Sequence, residues 1–152
     1  MTANGPDSAD ETLNLQSRIS DLAQVPAWIE RLAPRFSIPD STQFAINLCL
    51  EEVLSNTIRH GYAGQPGHPI AIRFSKPRED YFLFVVEDHA APFNPVDSPE
   101  LPPISSLDES AVGGQGIRLL RQFADGLEYH PTPSGNRLFI GFSSVNSPAA
   151  KN

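Results

Sequence analysis

Positions 48–60 read LCLEEVLSNTIRH and carry the most informative pattern in the chain. At about 100° per residue, a helix over this segment places Glu52 and Asn56 on one stripe with Ala45, Leu48 and Cys49. A carboxylate and an amide one turn apart on an otherwise apolar stripe are costly to bury unless something pairs with them. An Mg²⁺ ion carrying phosphates would do so, because it is a hard ion that takes oxygen ligands. The alternative is an exposed polar pair beside the core, and this segment alone leaves both open.

The surrounding sequence predicts an α+β fold, a two-layer sandwich of a mixed, mostly antiparallel sheet with helices on one face. A first helix is predicted from Ser20 or Asp21 to about Phe36. A second opens at Pro39-Asp40-Ser41 and stops at Gly61. Strands are predicted at 12–16, 69–74 and 81–86, the last two forming a hairpin around the polar turn 76–80. A helix over about 117–124 then precedes two strands that flank the turn 131–135.

A second polar signal is Asp88, which follows the apolar run 81–86. Such a residue either accepts a hydrogen bond from an amine in a pocket, such as the exocyclic amine of adenine, or caps an ordinary turn. The neighbouring His89 has two other histidines upstream, His60 and His68. Their spacing matches no familiar metal site, so we predict scattered surface histidines.

The third signal is a glycine-rich segment before the third predicted helix, formed by Gly113, Gly114, Gln115, Gly116 and Ile117. Glycines let the backbone approach a phosphate closely, and the helix start aims free N–H groups at the anion. The segment lacks the Lys-Ser/Thr ending of the Walker pattern and the short strand–turn–helix unit of the Rossmann fingerprint. A purely structural role for the glycines is the alternative.

Residues 89–113 contain five prolines and no regular period. A connection of that length is uncommon in a compact domain and is typical of a functional lid or a disordered segment. The polar termini, residues 1–10 and 144–152, are predicted to be disordered or flexible. The domain itself is therefore predicted to span residues 11–143.

Composition narrows the class of protein. The net charge is −7, and no window is dominated by Lys or Arg, which disfavours a binder of nucleic acid. The single cysteine excludes an intramolecular disulfide. We find neither a signal-peptide pattern nor an apolar run of about 20 residues, so we predict a soluble, cytoplasmic protein with no membrane contact.

Taken together, the three signals resemble the Bergerat (GHKL, HATPase) ATP-binding fold, and within it the anti-sigma-factor serine/threonine-protein kinases. The segment from Glu52 through Asn56 to Tyr62 looks like the N box of that family. Asp88-x-Ala90-x-Pro92-Phe93-Asn94-Pro95 looks like its adenine box, and 113–117 looks like its second glycine box. Residues 125–129 and 135–138 match its closing strands. The resemblance covers about residues 11–143.

The resemblance implies ATP and Mg²⁺ as cofactors and gives roles to particular residues. Asn56 would ligate Mg²⁺, Asp88 would hold the adenine amine, and Glu52 would be the general base for a serine hydroxyl. The boxes would contribute further nucleotide contacts, and residues 96–113 would form the ATP lid. Arg59 and His60 would either reach the phosphates or form a solvated helix end. The remaining contacts would come from Ala90, Phe93 and the glycine segment 113–117.

One departure from the family pattern is Ala90, where the family usually has glycine. Alanine is compatible there if its φ is negative, at the expense of some room near the adenine. The predicted lid also holds four acidic residues and no Lys or Arg. A cation for the γ-phosphate would have to come from Arg59, Arg118 or a second chain.

The resemblance further implies two protein partners. One is a STAS-type anti-anti-sigma protein that is phosphorylated on Ser or Thr, and the other is a sigma factor or another effector. Members of the family commonly form a homodimer, which the sequence leaves open. A nucleotide-gated binding module without phosphoryl transfer is the competing hypothesis, and Glu52 favours the kinase because a pure switch needs no base. The detached ATPase domain of a histidine kinase is a weaker third hypothesis, since no phosphoacceptor helix precedes the domain.

Overall fold

The computed structural model describes residues 11–92 and 119–144. Several predictions fall outside these residues: the N-terminus 1–10, the C-terminal residues after 144, the lid 96–113, Phe93 and the glycine segment 113–117. They stay predictions.

The described strands form one five-stranded sheet. They are β1 (Glu11–Gln16), β2 (Pro69–Arg78), β3 (Tyr81–Asp88), β4 (Gly126–Thr132) and β5 (Gly135–Ser143). Their order across the sheet is β1-β2-β3-β5-β4, and all four neighbouring pairs are antiparallel. The predicted α+β sandwich is confirmed, with no parallel pair among the described strands.

Two long helices connect β1 to β2. The helix α1 spans Gln24–Phe36 and α2 spans Asp40–Asn56. A π-helical turn, Thr57–Gly61, extends α2 to the predicted stop at Gly61. Residues 119–123 are helical and belong to a third helix, α3. In the described residues, no helix is both long enough and apolar enough to cross a membrane.

The first helix begins later than predicted, because a 3₁₀ turn occupies Ile19–Ala23. Pro26 explains the difference, since its ring nitrogen cannot donate the α-helical hydrogen bond to the carbonyl of Leu22. Asp21 does not cap α1 either. Its Oδ2 accepts a hydrogen bond of 2.8 Å from the backbone N–H of Gln16 at the end of β1.

The two hairpin turns are shorter than predicted. β2 continues through Lys76 and Pro77 to Arg78, with a bulge between Ser75 and Arg78, so the turn is only residues 79–80. The polar residues that suggested a loop are explained by the bulge and by Lys76, whose Nζ donates to the carbonyl of Phe36 at 2.9 Å. Between β4 and β5 the turn is residues 133–134.

The core lies between the helices and one face of the sheet. Its largest fully buried side chains come from every layer of the fold: Phe74, Phe82, Phe84, Phe142, Ile29, Leu32, Ile46, Leu50, Leu54, Ile70, Ile72 and Leu120. On β3 and β5 alternate residues face this core. A polar residue two positions from a core residue on the same strand therefore also faces the core. The opposite face carries an ion-pair cluster in which Glu87 accepts from Arg73 at 3.0 Å and from Arg137 at 2.8 Å.

Candidate nucleotide-binding site

The first wall of the candidate site is the end of α2. Asn56 is the last α-helical residue, and the wider π turn that follows is closed by a bond of 2.8 Å from the Tyr62 N–H to the Thr57 carbonyl. This turn places Thr57 and Gly61 beside Asn56 on the same pocket. Such π turns are rare and occur often at functional sites.

The second wall is made by two polar residues on neighbouring strands. Asp88 is in phase with the buried Phe82, Phe84 and Val86, and it pairs directly with Asn136 on β5. Both side chains are only 7% exposed. Two polar side chains therefore face the core at the end of the sheet, where burial would be costly without partners.

Asn136 supplies those partners. Its Nδ2 donates to Asp88 Oδ1 at 2.8 Å and lies 3.1 Å from the Ala91 carbonyl and 3.3 Å from the Ala90 carbonyl. Its Oδ1 accepts a short hydrogen bond from the Tyr129 hydroxyl. Asn136 thus joins β4, β5 and the loop after β3 into one rigid wall.

Asp88 is held by one oxygen and leaves the other available. Oδ1 accepts from Asn136 and also from the backbone N–H of Ala90 at 2.9 Å. Among the described residues, Oδ2 accepts no hydrogen bond. A fixed carboxylate with one free acceptor is suited to an amine donor on a ligand.

Tyr62 holds the loop after β3 through its hydroxyl group. Its hydroxyl donates to the Pro69 carbonyl at 2.9 Å and accepts from the His89 N–H at 2.7 Å. Burial raises the pKa of Tyr62; the hydrogen bond from the His89 N–H offsets part of that rise, and the charge of Asp88 adds a smaller rise. The phenol therefore stays protonated and keeps donating to Pro69 across the physiological range.

Between these walls lies a pocket of about 490 Å³ including its open mouth. Half of the lining residues are aliphatic, and the polar lining includes Asn56, Asp88 and Asn136. The arrangement fits a flat, largely apolar ring system that carries one amine. The aliphatic lining is Val53, Val86, Ala90, Ala91, Leu120 and Leu138.

The structure brings together three of the predicted site residues that it describes: Asn56, Asp88 and Ala90. Glu52 lies one turn before Asn56, half-buried and outside the pocket wall. Arg59 and His60 are exposed on the π turn and do not line the pocket either. Among the described lining residues none is Lys or Arg, so phosphate charge is not neutralised by this wall.

Sequence reasoning missed Thr57, Gly61, Tyr129 and Asn136 as lining residues. A signal for Asn136 existed, because it shares the two-residue period of Leu138, Ile140 and Phe142 and so had to face the core. Gly61 is predicted as a helix stop and as part of the N box, but not as a residue that lines the pocket. Its contact across the pocket depends on the π turn, which no sequence period reveals.

Asn56 meets the requirements for a magnesium ligand. Its side-chain amide makes no hydrogen bond to any described residue, it lies on the pocket, and its oxygen is of the kind that Mg²⁺ accepts. Mg²⁺ usually keeps several waters and is bound through one or two carboxylates plus substrate phosphates. Asn56 would add one amide oxygen to ligands that come from the phosphates and water.

We expect Asn56→Ala to weaken ATP binding in the presence of Mg²⁺ by at least about tenfold. Mutation of even an outer-shell partner of a metal ligand typically lowers metal affinity or activity by about 10–100-fold. The same variant should bind nucleotide in EDTA as wild type does. Calorimetric titration with and without Mg²⁺ measures both, with Asn14→Ala, an exposed amide on β1, as the control. Equal affinity with and without Mg²⁺ in wild type would refute this role of Asn56.

A second groove, of about 870 Å³ by the same measure, crosses the end of the sheet. It includes Asn14, Glu87, His89, Ser134 and Arg137, and it shares only Asp88 and Asn136 with the first pocket. Glu87 is already paired with two arginines, and His89 Nδ1 lies 3.3 Å from the Ser134 hydroxyl. Asn14, the exposed amide in this groove, lies on a strand, whereas Asn56 lies at the end of α2, so we take the first pocket as the better nucleotide site.

The fold and this pocket define a class of protein that the family comparison matches. Residues 15–142 match the family described as histidine kinase-like ATPase domain, and the chain belongs to that family. The predicted resemblance to ATP-binding domains of the Bergerat type is thereby confirmed. The chain is also 31% identical over 135 residues to the serine/threonine-protein kinase BtrW of Bordetella bronchiseptica, covering 88% of this chain and 93% of that protein.

Solved structures support the fold. The histidine kinase domain of the blue-light activated histidine kinase EL346 of Erythrobacter litoralis superposes with a TM-score of 0.51 at 19% identity, covering 86% of this chain. A structure of Erythrobacter litoralis EL346 blue-light activated histidine kinase gives 0.53 at 17% identity over 86% of this chain. The chain spans 63% of the first and 42% of the second, so the likeness concerns one domain of those proteins.

Proposed function

We propose that the chain is an Mg²⁺- and ATP-dependent serine/threonine-protein kinase of the anti-sigma type, acting in the cytoplasm. The observation that carries the proposal is one pocket lined by Asn56 and by Asp88, whose Oδ1 is fixed by Asn136 and by the Ala90 N–H. The relation to BtrW, a serine/threonine-protein kinase by name, supports the choice of chemistry. The kinase would phosphorylate a STAS-type anti-anti-sigma protein and sequester a sigma factor or another effector.

The base of the nucleotide would lie against Asp88. Its exocyclic amine would donate to Oδ2, while Asn136 and the Ala90 N–H hold Oδ1 in place. The phosphates would extend toward Asn56, whose amide oxygen would hold Mg²⁺. When bound, Mg²⁺ neutralises charge on the phosphates. The glycine segment 113–117 and the lid 96–113 would complete the phosphate side, and Phe93 would contribute to the base side.

Transfer requires little from the protein beyond positioning and one base. The hydroxyl oxygen of the partner's serine or threonine forms a bond to the γ-phosphorus. The bond from that phosphorus to the bridging oxygen breaks, and ADP leaves with the electron pair. Glu52 accepts the hydroxyl proton. Its half-buried position outside the pocket wall suits a group that meets the protein substrate and not the nucleotide.

Arg59 and His60 are available for the phosphate side or for the partner. Both are exposed on the π turn directly after Asn56. The described pocket wall has no Lys or Arg, so a cation for the phosphates must come from elsewhere. Arg59 is the described cation nearest in sequence to Asn56. We propose Arg59 as a contact to the γ-phosphate.

The test of the proposed function is transfer of labelled phosphate. The chain is incubated with Mg·ATP labelled at the γ-phosphate and with STAS-type proteins from the same organism. Label on one Ser or Thr of a single partner supports the kinase. Tight Mg·ATP binding without label on any of these proteins would favour the nucleotide-gated binding module instead.

Asp88→Asn tests the base contact. An asparagine can keep its oxygen toward Asn136 and the Ala90 N–H, so only the second terminal atom changes from acceptor to donor. We expect the preference for ATP over GTP to fall by about 10- to 150-fold, the equivalent of roughly 1.5–3 kcal/mol for a hydrogen bond to a charged group.

Competition titrations with the two nucleotides measure the ratio of affinities. Asp80→Asn, just before the start of β3 and far from Asp88 along the strand, is the matched control and should leave the ratio unchanged. An unaltered ratio in Asp88→Asn would mean that the adenine amine does not contact this carboxylate.

A further inference from the structure

Ala90 leaves no room for a side chain at Gly61. A Cβ atom added at Gly61 would lie 2.8 Å from the Cβ of Ala90. Carbon atoms normally pack at about 3.5–4.0 Å. The methyl of Ala90 therefore occupies the room that any side chain at position 61 would need.

Neither partner can move away freely. Ala90 is 7% exposed, its N–H is bonded to Asp88 Oδ1, and its carbonyl lies 3.3 Å from Asn136 Nδ2. Its Cβ is attached directly to this backbone, so it has no rotamer with which to avoid a clash. Gly61 is fixed by the π turn that the Tyr62 N–H closes onto Thr57.

The contact joins the two walls of the pocket. Gly61 is the last residue of the turn that follows Asn56, and Ala90 lies two residues after Asp88 and donates its N–H to that carboxylate. Both residues line the pocket. The distance between the metal-binding amide and the base-binding carboxylate is therefore set where these two residues touch.

We propose that Gly61 and Ala90 are a complementary pair of positioning residues, in which one methyl group, on either residue but not on both, sets the spacing of the pocket. The proposal rests on nucleotide binding at this pocket, as set out above. The proposal explains why alanine stands at position 90, where the family usually has glycine: its methyl group fills the space beside Gly61. Among the described residues, the only non-glycine residues with positive φ are Ser37 and Ala63. Ala90 therefore does not have the positive φ that would require glycine.

The geometry predicts an asymmetric set of variants. Gly61→Ala places two methyl groups in space for one, pushes Ala90 outward and turns Asp88 with it. Ala90→Gly leaves the space empty and loosens the loop. In the exchanged variant, Gly61→Ala with Ala90→Gly, the nearest described atom to the new Cβ is Thr57 Cγ2 at 3.8 Å, which is an ordinary contact.

The experiment is a double-mutant cycle on the full chain. We expect Mg·ATP affinity to fall roughly tenfold or more in Gly61→Ala, since overpacking against backbone is costly. Ala90→Gly should lose about fivefold, the usual scale for one buried methyl and added backbone freedom. The exchanged variant should return to within about threefold of wild type, a coupling that independent sites do not show.

Two further readouts separate the outcomes. The ATP-to-GTP affinity ratio should fall in Gly61→Ala and recover on exchange, because Asp88 moves and returns. Recovery of the thermal unfolding midpoint with no change in that ratio would reduce the pair to packing and overturn the positioning role. Additive losses in the exchanged variant would overturn the contact itself. If wild type binds no nucleotide, the proposed function fails, while coupling between the unfolding midpoints still tests the contact.

Discussion

Glu52→Gln is expected to slow phosphoryl transfer by about 10²–10⁴-fold, the usual contribution of a general base. Glutamine preserves the size and the hydrogen-bonding capacity of the side chain while removing its ability to accept a proton. Glu52 lies outside the pocket wall, so Mg·ATP affinity should change little. Single-turnover transfer of labelled phosphate to the STAS-type partner, with nucleotide affinity measured on the same preparation, separates the two effects.

The chain offers a matched control in the adjacent carboxylate. Glu51 is exposed and lies about 100° further round α2. Glu51→Gln makes the same change in charge and should transfer phosphate at the wild-type rate. Transfer at the wild-type rate in Glu52→Gln, or an equal loss in both variants, would remove Glu52 as the base.

Gly135→Ala is expected to destabilise the fold and to abolish tight nucleotide binding. A Cβ at this position would overlap the carbonyl oxygen of Asp88 and lie 2.6 Å from the Cα of His89. Both obstacles are backbone, so β5 or the end of β3 must shift. Overpacking of this kind costs about 3 kcal/mol at the upper end of its usual range. The unfolding midpoint should fall by roughly 6–12 °C.

The loss of affinity has a separate cause from the loss of stability. Asp88 pairs with Asn136, the residue next to Gly135, so displacement of either strand misaligns the carboxylate. Ser134→Ala, in the same turn and exposed, is the control and should keep both properties near wild type. A Gly135→Ala protein with wild-type melting and wild-type affinity would show that β5 does not approach Asp88 as described.

The arrangement of layers was predictable because the hydrophobic periods of this chain are strong. The strands at 12–16, 69–74 and 81–86 and the helix opening at Asp40 are present, since each is marked by a period or a helix-start signal. The turns were misplaced where a side chain makes a tertiary bond that local sequence does not show. Lys76 looked like a turn residue, yet it bonds to the end of α1.

The site was predictable in part for a similar reason. Asn56 and Asp88 are polar residues at positions where the helix or strand period predicts an apolar side chain. That mismatch can be seen in the sequence. The orientation of Asp88 by Asn136 depends on strand pairing across 48 positions, which no local pattern encodes. The contact of Gly61 with Ala90 depends in addition on a π turn. Both features belong to packing between elements, where sequence periods carry no information.

The most direct measurement of the central claim is a map of where Mg·ATP binds. In a ¹⁵N-labelled sample, saturating Mg·ATP in the micromolar range should shift the amide signals of Asn56, Gly61, Ala90 and Asn136. Signals of the open face, such as those of Asn14 and Arg73, should shift little. Shifts concentrated at Asn14, Ser134 and Arg137 would place the nucleotide in the second groove, and no shifts at all would contradict the account.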